Sequence, residues 1–184
     1  YGNNPASPYG YPQFKDFARL KLAPSEAVVV FMRTPPPARY FGLTQYLITR
    51  GGSAKEVLAS LSDTLNLLSF KTLGSATPGQ NVFDQYAVVV WTADVNTLAK
   101  VKLQLSQQGV PEDRINFLPI PINLPLNMGY GSSADTFSIL LRVAMPEVQA
   151  AFDAYRADNP FYVVKVGQVS PPPISPAPTI GYRS

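Results

Sequence analysis

Residues 86–120 read YAVVVWTADVNTLAKVKLQLSQQGVPEDRINFLPI, and this stretch contains the clearest pattern of the chain. The near-continuous apolar run from Tyr86 to Thr92 is typical of a strand buried on both faces. Asp94 stands where a helix N-cap is expected, and Gly109 supplies the end of the helix. The apolar face of this helix comprises Val95, Leu98, Val101 and Leu105. Ile115 to Ile120 then predicts a short strand.

The residues that follow extend this pattern. Phe137 to Ala144 predicts a strand, Pro146 favours the first position of a second helix, and Phe161 to Val166 predicts the last strand. The apolar face of the second helix comprises Val148, Ala151, Phe152 and Tyr155. From about residue 86 to 166 the order is therefore β-α-β-β-α-β, the split βαβ of the ferredoxin-like fold. We expect one antiparallel sheet with both helices on one face.

An additional β-β-α unit is predicted before residue 86. Ala27 to Arg33 is a β-branched run that stops at three prolines, which is typical of a strand. Arg39 to Arg50 fits either a strand or a helix face, and its aromatic and β-branched content favours the strand. Ser53 and Glu56 form an S-x-x-E capping box that predicts a short helix. Its apolar residues are Val57, Leu58 and Leu61.

The two ends of the chain differ in composition from the middle. Residues 1–24 form an extended arm rich in Pro, Tyr and Gly, and residues 25–167 form a single α+β domain. Residues 168–184 form a second, proline-rich arm with five prolines between Pro171 and Pro178. Such segments favour polyproline II structure and do not fit inside a helix or a central strand.

The 184 residues contain neither histidine nor cysteine. The commonest general base near neutral pH, the commonest metal ligand and the best protein nucleophile are therefore missing. Residues 129–134 match G-x-G-x-x-A, but prolines precede them and a predicted strand follows, so the dinucleotide-binding context is lacking. The sequence predicts no enzyme activity, no cofactor and no metal site.

Positive charge is concentrated near the N-terminus. Residues 1–52 hold six basic and two acidic residues, whereas residues 53–184 hold nine basic and ten acidic ones. Nucleic-acid binding requires a denser basic patch with interleaved aromatic residues. We therefore predict no nucleic-acid partner.

Residues 33–50, RTPPPARYFGLTQYLITR, combine charge, rigidity and aromatic side chains. Arginine beside tyrosine suits recognition of anions, aromatic groups or protein surfaces. An equally weighted interpretation is a core strand whose arginines reach carboxylates such as Asp135. The sequence leaves both interpretations open.

This stretch and ADTFSILLRVAMP, residues 134–146, resemble an uncharacterised family of conserved exported proteins from algae and bacteria. The resemblance implies that these two stretches characterise the family and that the protein is exported. It implies no activity, ligand or catalytic residue. The absence of cysteine suits an oxidising compartment. We therefore expect an exported or organelle-lumen protein whose targeting segment has been removed.

The arms and the Arg33 to Arg50 segment predict a non-catalytic accessory or structural subunit that binds other protein subunits or copies of itself. Its apolar stretches are too short to span a bilayer. The partner-binding residues expected from the sequence are Tyr1, Tyr9, Tyr11, Phe14, Phe17, Arg33, Arg39, Tyr40, Tyr46, Pro171, Pro172, Pro173, Ile174 and Tyr182.

Two alternatives remain from the sequence. The first is an exported carboxylate-based hydrolase of glycans, with Asp135 and either Arg33 or Arg39 near one cleft. The second is an RNA-binding ferredoxin-like module, although Phe137 to Val143 lacks the basic and aromatic pattern of an RNA-reading strand.

Overall fold

The structure, a computed structural model, describes residues 19–167, and within them two β-sheets pack together with two helices. The expected α+β class is confirmed. In chain order the elements are β1 (Ala27–Arg33), β2 (Ala38–Thr49), β3 (Glu56–Ser60), β4 (Leu65–Asn66), β5 (Tyr86–Thr92), α1 (Val95–Gln107), β6 (Ile115–Pro119), β7 (Thr136–Pro146), α2 (Gln149–Ala157) and β8 (Phe161–Val166). Neither helix of the described part is long and apolar enough to cross a membrane.

The first sheet has the strand order β6-β5-β1-β8. Strands β1 and β5 occupy its centre because both are apolar on two faces. Val28 and Val30 face the second sheet, whereas Val29 and Val90 face α1. Strand β8 pairs with β1 in antiparallel register and lies at the edge of the described sheet.

Helix α1 begins and ends as the sequence predicts. The carboxylate of Asp94 accepts hydrogen bonds from the backbone N–H groups of Asn96 and Thr97, both at 3.1 Å. Gly109 adopts a left-handed φ of 89°, which glycine tolerates best, just beyond the helix end. The helix joins the parallel pair β5 and β6 and packs over them.

The second sheet is built on β2. Strand β7 pairs with β2 along nearly its whole length, from Ala38 opposite Pro146 to Thr49 opposite Thr136. Strands β3 and β4 pair with the other side of β2. At one end of this sheet, Leu20 forms an antiparallel bridge with Phe137.

From 86 to 166 the elements follow the predicted order β-α-β-β-α-β, which is compatible with a ferredoxin-like split βαβ. The expectation that these four strands share one antiparallel sheet is wrong, because β7 pairs with β2 and β1 lies between β5 and β8. The strands are arranged in this way because β1 and β7 differ in their hydrophobic patterns. Strand β1 is continuously apolar and suits a doubly covered position, whereas β7 alternates and carries its core-packing residues on one face. Its core-facing residues are Phe137, Ile139, Leu141 and Val143.

The predicted helix over residues 53–61 is wrong, since this segment contains β3. Gly51 and Gly52 have left-handed φ values of 63° and 74° and turn the chain back from β2. The Ser53 hydroxyl accepts from the Lys55 N–H at 3.1 Å, and the Glu56 carboxylate pairs with Arg19 instead of capping a helix. The N-terminal addition is therefore made of strands.

The predicted start of the second helix at Pro146 is also wrong. Pro146 is the last residue of β7 and lies opposite Ala38, a strand-end position that proline tolerates. Helix α2 begins at Gln149, and its N-cap Val148 provides no side-chain hydrogen bond.

A polar cluster connects the two sheets inside the core. Trp91 donates its indole N–H to the Gln45 side-chain oxygen at 2.6 Å, and both residues are fully buried. The Gln45 amide nitrogen donates to the Ser62 hydroxyl at 2.6 Å and also to the Pro119 carbonyl. Because every partner is satisfied, this polar group is compatible with the interior.

Candidate functional site

Most of the partner-binding residues expected from the sequence lie in the two arms, outside the described residues. They are Tyr1, Tyr9, Tyr11, Phe14, Phe17, Pro171, Pro172, Pro173, Ile174 and Tyr182. Their role stays a prediction. The other four expected residues are described, and they lie on different sheets.

Arg33 lies at the end of β1 in the first sheet. Its guanidinium lies 3.5 Å from the Asp158 carboxylate and 5.6 Å from the centre of the Tyr155 ring. The Tyr155 hydroxyl donates to the Arg33 carbonyl at 2.9 Å. The Nε atom of Arg33 is buried and has no hydrogen-bond partner among residues 19–167. The Arg33 side chain thus already contacts residues of α2 and of the turn that follows it.

Arg39, Tyr40 and Tyr46 lie on β2 in the second sheet. Arg39 is exposed, Tyr40 is half-buried and Tyr46 is buried. The Arg142 guanidinium lies 5.7 Å from the centre of the Tyr46 ring. The structure therefore separates Arg33 from the other three residues.

Asp135 does not meet the arginines that the sequence suggested. It is completely buried, and its two carboxylate oxygens accept from the backbone N–H groups of Gly51 at 2.7 Å and Asn127 at 2.8 Å. The expected cleft joining Asp135 with Arg33 or Arg39 is wrong, because Arg33 pairs with Asp158 instead. Asp135 holds the β2–β3 turn against the loop before β7.

An open apolar groove, here called the β8 groove, lies between α1 and β8 on the outer face of the first sheet. Its volume is about 370 Å³. Its apolar lining comprises Val29, Phe31, Val101, Leu105, Val164 and Val166. Lys100, Gln104 and Gln108 also line it from α1, and Gly167, the last described residue, lies at one end.

Aromatic residues continue this surface beyond Phe31. The Phe31 and Tyr162 rings are cross-strand neighbours with centroids 6.2 Å apart. They line a second depression of about 300 Å³ together with Tyr86 and Arg33. Tyr162 is 68% exposed and Tyr86 is 69% exposed. Arg33 is thus the expected partner-binding residue that the structure brings next to this surface.

A small charged cluster lies near Gly167. The Tyr130 hydroxyl donates to the Glu26 carboxylate and accepts from the Lys165 ammonium, which also lies 3.6 Å from Glu26. Burial, followed by the hydrogen bond to Glu26, raises the pKa of the Tyr130 phenol. The hydrogen bond to Tyr130 raises the pKa of Lys165. The tyrosine is therefore stabilised in its neutral form, and the cluster fastens the long loop before β7 to the sheet.

Within residues 19–167 no group of three or more His, Cys, Asp or Glu side chains is placed to hold a metal ion. The two buried carboxylates both bind backbone N–H groups, Asp94 at the start of α1 and Asp135 in the loop before β7. The groove instead offers carbon surface, aromatic rings and side-chain amides. These groups suit binding of an apolar, extended polypeptide.

No motif or pattern in the sequence indicates the β8 groove directly. Its floor combines β1 and β8, whose pairing joins Val29 with Val164 across the chain. The available signal was the alternation in β8, where Tyr162, Val164 and Val166 point to one face. That signal predicts an apolar face but does not say whether a helix covers it.

Comparison of the chain with protein-family models, with curated proteins and with solved structures finds no match. The resemblance of residues 33–50 and 134–146 to an exported family therefore stays a prediction. The expected export of the protein stays a prediction with it.

Proposed function

We propose that the protein is a non-catalytic accessory or structural subunit that attaches to a larger protein assembly through its terminal arms and the β8 groove. The observation that carries this proposal is the groove itself, an apolar surface beside exposed Tyr162 and Tyr86. Exposed aromatic residues beside apolar pockets supply much of the binding energy in protein interfaces.

The outer face of β8 is only partly covered by the rest of the protein. Tyr162 is 68% exposed, and Val164 and Val166 are half-buried. Fully burying an exposed apolar side chain of this size contributes about 1.5–3 kcal/mol, so completing the burial of a half-buried valine contributes roughly half of that. A partner seated along β8 would therefore gain several such contributions without displacing any part of the described core.

The composition of the arms supports the same function. Ordering one residue of backbone costs about 1–2 kcal/mol. The prolines between Pro171 and Pro178 reduce that cost before binding, and Ile174 and Tyr182 add apolar anchors. In the N-terminal arm, Tyr9, Tyr11 and Phe14 have the same chemistry.

The proposal is tested by the native size of the protein in extracts of cells that produce it. We expect the full chain to migrate well above its own 20.0 kDa. Tyr162→Asp beside the groove and Ile174→Asp in the arm should each shift it toward smaller species. Leu68→Asp is the matched control, because Leu68 is 74% exposed and lies outside the groove. Migration of the unaltered chain at 20.0 kDa would reject the proposed function.

A further inference from the structure

We propose that the β8 groove binds the proline-rich segment 168–184 of a second copy of this chain, so that copies associate head to tail. The inference rests on the proposed function and names both the partner and the site. It follows from the length of the segment, the chemistry of the groove and the position of Gly167.

The lengths of groove and segment agree. The floor of the groove follows β8, whose six residues span about 20 Å at ~3.3 Å per residue. The eight residues from Pro171 to Pro178 span about 25 Å in polyproline II geometry, at ~3.1 Å per residue. One segment is therefore long enough to follow the whole groove.

The chemistry also agrees. Proline-rich segments bind grooves lined by aromatic rings, against which the pyrrolidine rings pack. Phe31 provides such a ring inside the groove, Tyr162 provides a second one directly beside it, and Val164 and Val166 continue the apolar floor. A polyproline II backbone has no internal hydrogen bonds, so its carbonyl groups need donors. The Gln104 and Gln108 amides, one helical turn apart on α1, can donate to them.

A second copy is favoured over the same chain because entering its own groove would require the segment to reverse direction after β8. Gly167 is not among the glycines with a left-handed φ, so it does not supply a tight turn of that kind. Residues 168–170 read Gln-Val-Ser and contain no Gly, Asn or Asp, the residues that best tolerate a left-handed backbone. Ser170 precedes Pro171, which favours an extended backbone. A preference for an extended backbone at Ser170 therefore favours the groove of a second copy over the segment's own.

The resulting contact is heterologous, since an arm on one copy meets a groove on the next. Such a contact produces rings when the rotation closes and open filaments when it does not. Every copy has one proline-rich C-terminal arm and one groove, so the mass of the purified protein should rise with concentration.

The test is sedimentation of the purified 184-residue chain over a wide concentration range. We expect self-association by the unaltered chain and at least a tenfold weaker association constant for both Ile174→Asp and Tyr162→Asp. An equimolar mixture of the two variants should form a 1:1 dimer, because one supplies an intact groove and the other an intact arm. Leu68→Asp should associate like the unaltered chain.

Two controls separate a folding defect from a lost interface. Thermal unfolding followed by circular dichroism checks that Tyr162→Asp is folded, and Ile174→Asp changes a residue outside the described domain. A purified chain that stays monomeric at all concentrations overturns the inference. Self-association that Ile174→Asp leaves unchanged also overturns it, since another surface is then responsible.

The outcomes distinguish this inference from the proposed function. A monomeric purified chain that still enters a large complex in the extract rejects head-to-tail association and leaves the accessory role intact. A purified chain that self-associates, in an extract where it migrates at 20.0 kDa, rejects the accessory role.

Discussion

The outer face of the first sheet has two halves of similar composition and different environment. Under α1, Val88, Val90 and Ile115 are at most 4% exposed. Along β8, Val164 and Val166 are half-buried and Tyr162 is 68% exposed. Both halves are apolar, so hydrophobicity alone does not tell which strand is covered. The difference arises because α1 joins β5 to β6 and packs over those strands, which leaves the β8 side open to a partner.

The largest expected effect comes from placing a charge in each half. Val90→Asp buries an unpaired carboxylate under α1 and should lower the free energy of unfolding by more than about 4 kcal/mol. Val164→Asp places the same charge in the open half, where water reaches it, and should lower it by about 1 kcal/mol. Urea denaturation of both variants at low protein concentration measures the contrast. Equal losses would show that the two halves are equally covered.

The next largest effect concerns Gln45, which accepts a hydrogen bond from Trp91 on the inner face of the same sheet. Gln45→Leu leaves the buried Trp91 indole N–H without its acceptor and the carbonyl of half-buried Pro119 without this donor, which should cost about 2–3 kcal/mol. The double variant Gln45→Leu with Trp91→Phe removes the orphaned donor as well. The decrease in its free energy of unfolding, measured by urea denaturation, should be smaller than the sum of the decreases for Gln45→Leu and Trp91→Phe alone. Additive losses would contradict the proposed coupling.

The helix that covers one half provides a third test. Asp94→Ala removes the acceptor for the first N–H groups of α1 and should lower the free energy of unfolding by about 1 kcal/mol. Asp94→Asn keeps a capping oxygen and should lose less. Asp63→Ala, at an exposed position outside the helices, is the control and should be close to neutral. A larger loss for Asp63→Ala than for Asp94→Ala would contradict the capping role.

The sequence predicted correctly those elements whose ends are set by residues within or next to the element itself. Strand β8 has the predicted ends, Phe161 and Val166, because a compact apolar run is bounded by Pro160 and Gly167. Asp94 and Gly109 likewise fixed α1 through local backbone chemistry. The S-x-x-E motif at Ser53 misled the prediction because Gly51 and Gly52 turn the chain into a hairpin with β2.

The candidate site depended on information that is not local. Phe31 and Tyr162 form one surface because β8 pairs with β1, and no short-range pattern specifies that pairing. The flanking arginines of its segment predict that Tyr46 binds a partner, yet Tyr46 is buried beside Arg142. Charge and neighbouring prolines predict the same role for Arg33, which lies beside the aromatic surface.

The smallest expected effect concerns the cluster of Glu26, Tyr130 and Lys165 and appears only at alkaline pH. The pKa values of Tyr130 and Lys165 are both raised, so folding favours the protonated form of both groups. Their contribution to stability is fully present below their ordinary pKa values of about 10 and 10.4. It is lost as the pH rises through the raised values, because the unfolded chain then binds fewer protons than the folded one.

Tyr130→Phe isolates this contribution. The difference in the free energy of unfolding between the unaltered chain and the variant should be below about 1 kcal/mol at pH 8, because the cluster is largely exposed to solvent. It should shrink between pH 10 and pH 11, where the tyrosine begins to ionise in the unfolded chain. Lys165→Met should produce the same trend in urea denaturation, since it removes the ammonium that donates to Tyr130. A difference that grows with pH would mean that the fold favours the ionised tyrosine, opposite to the contacts with Glu26.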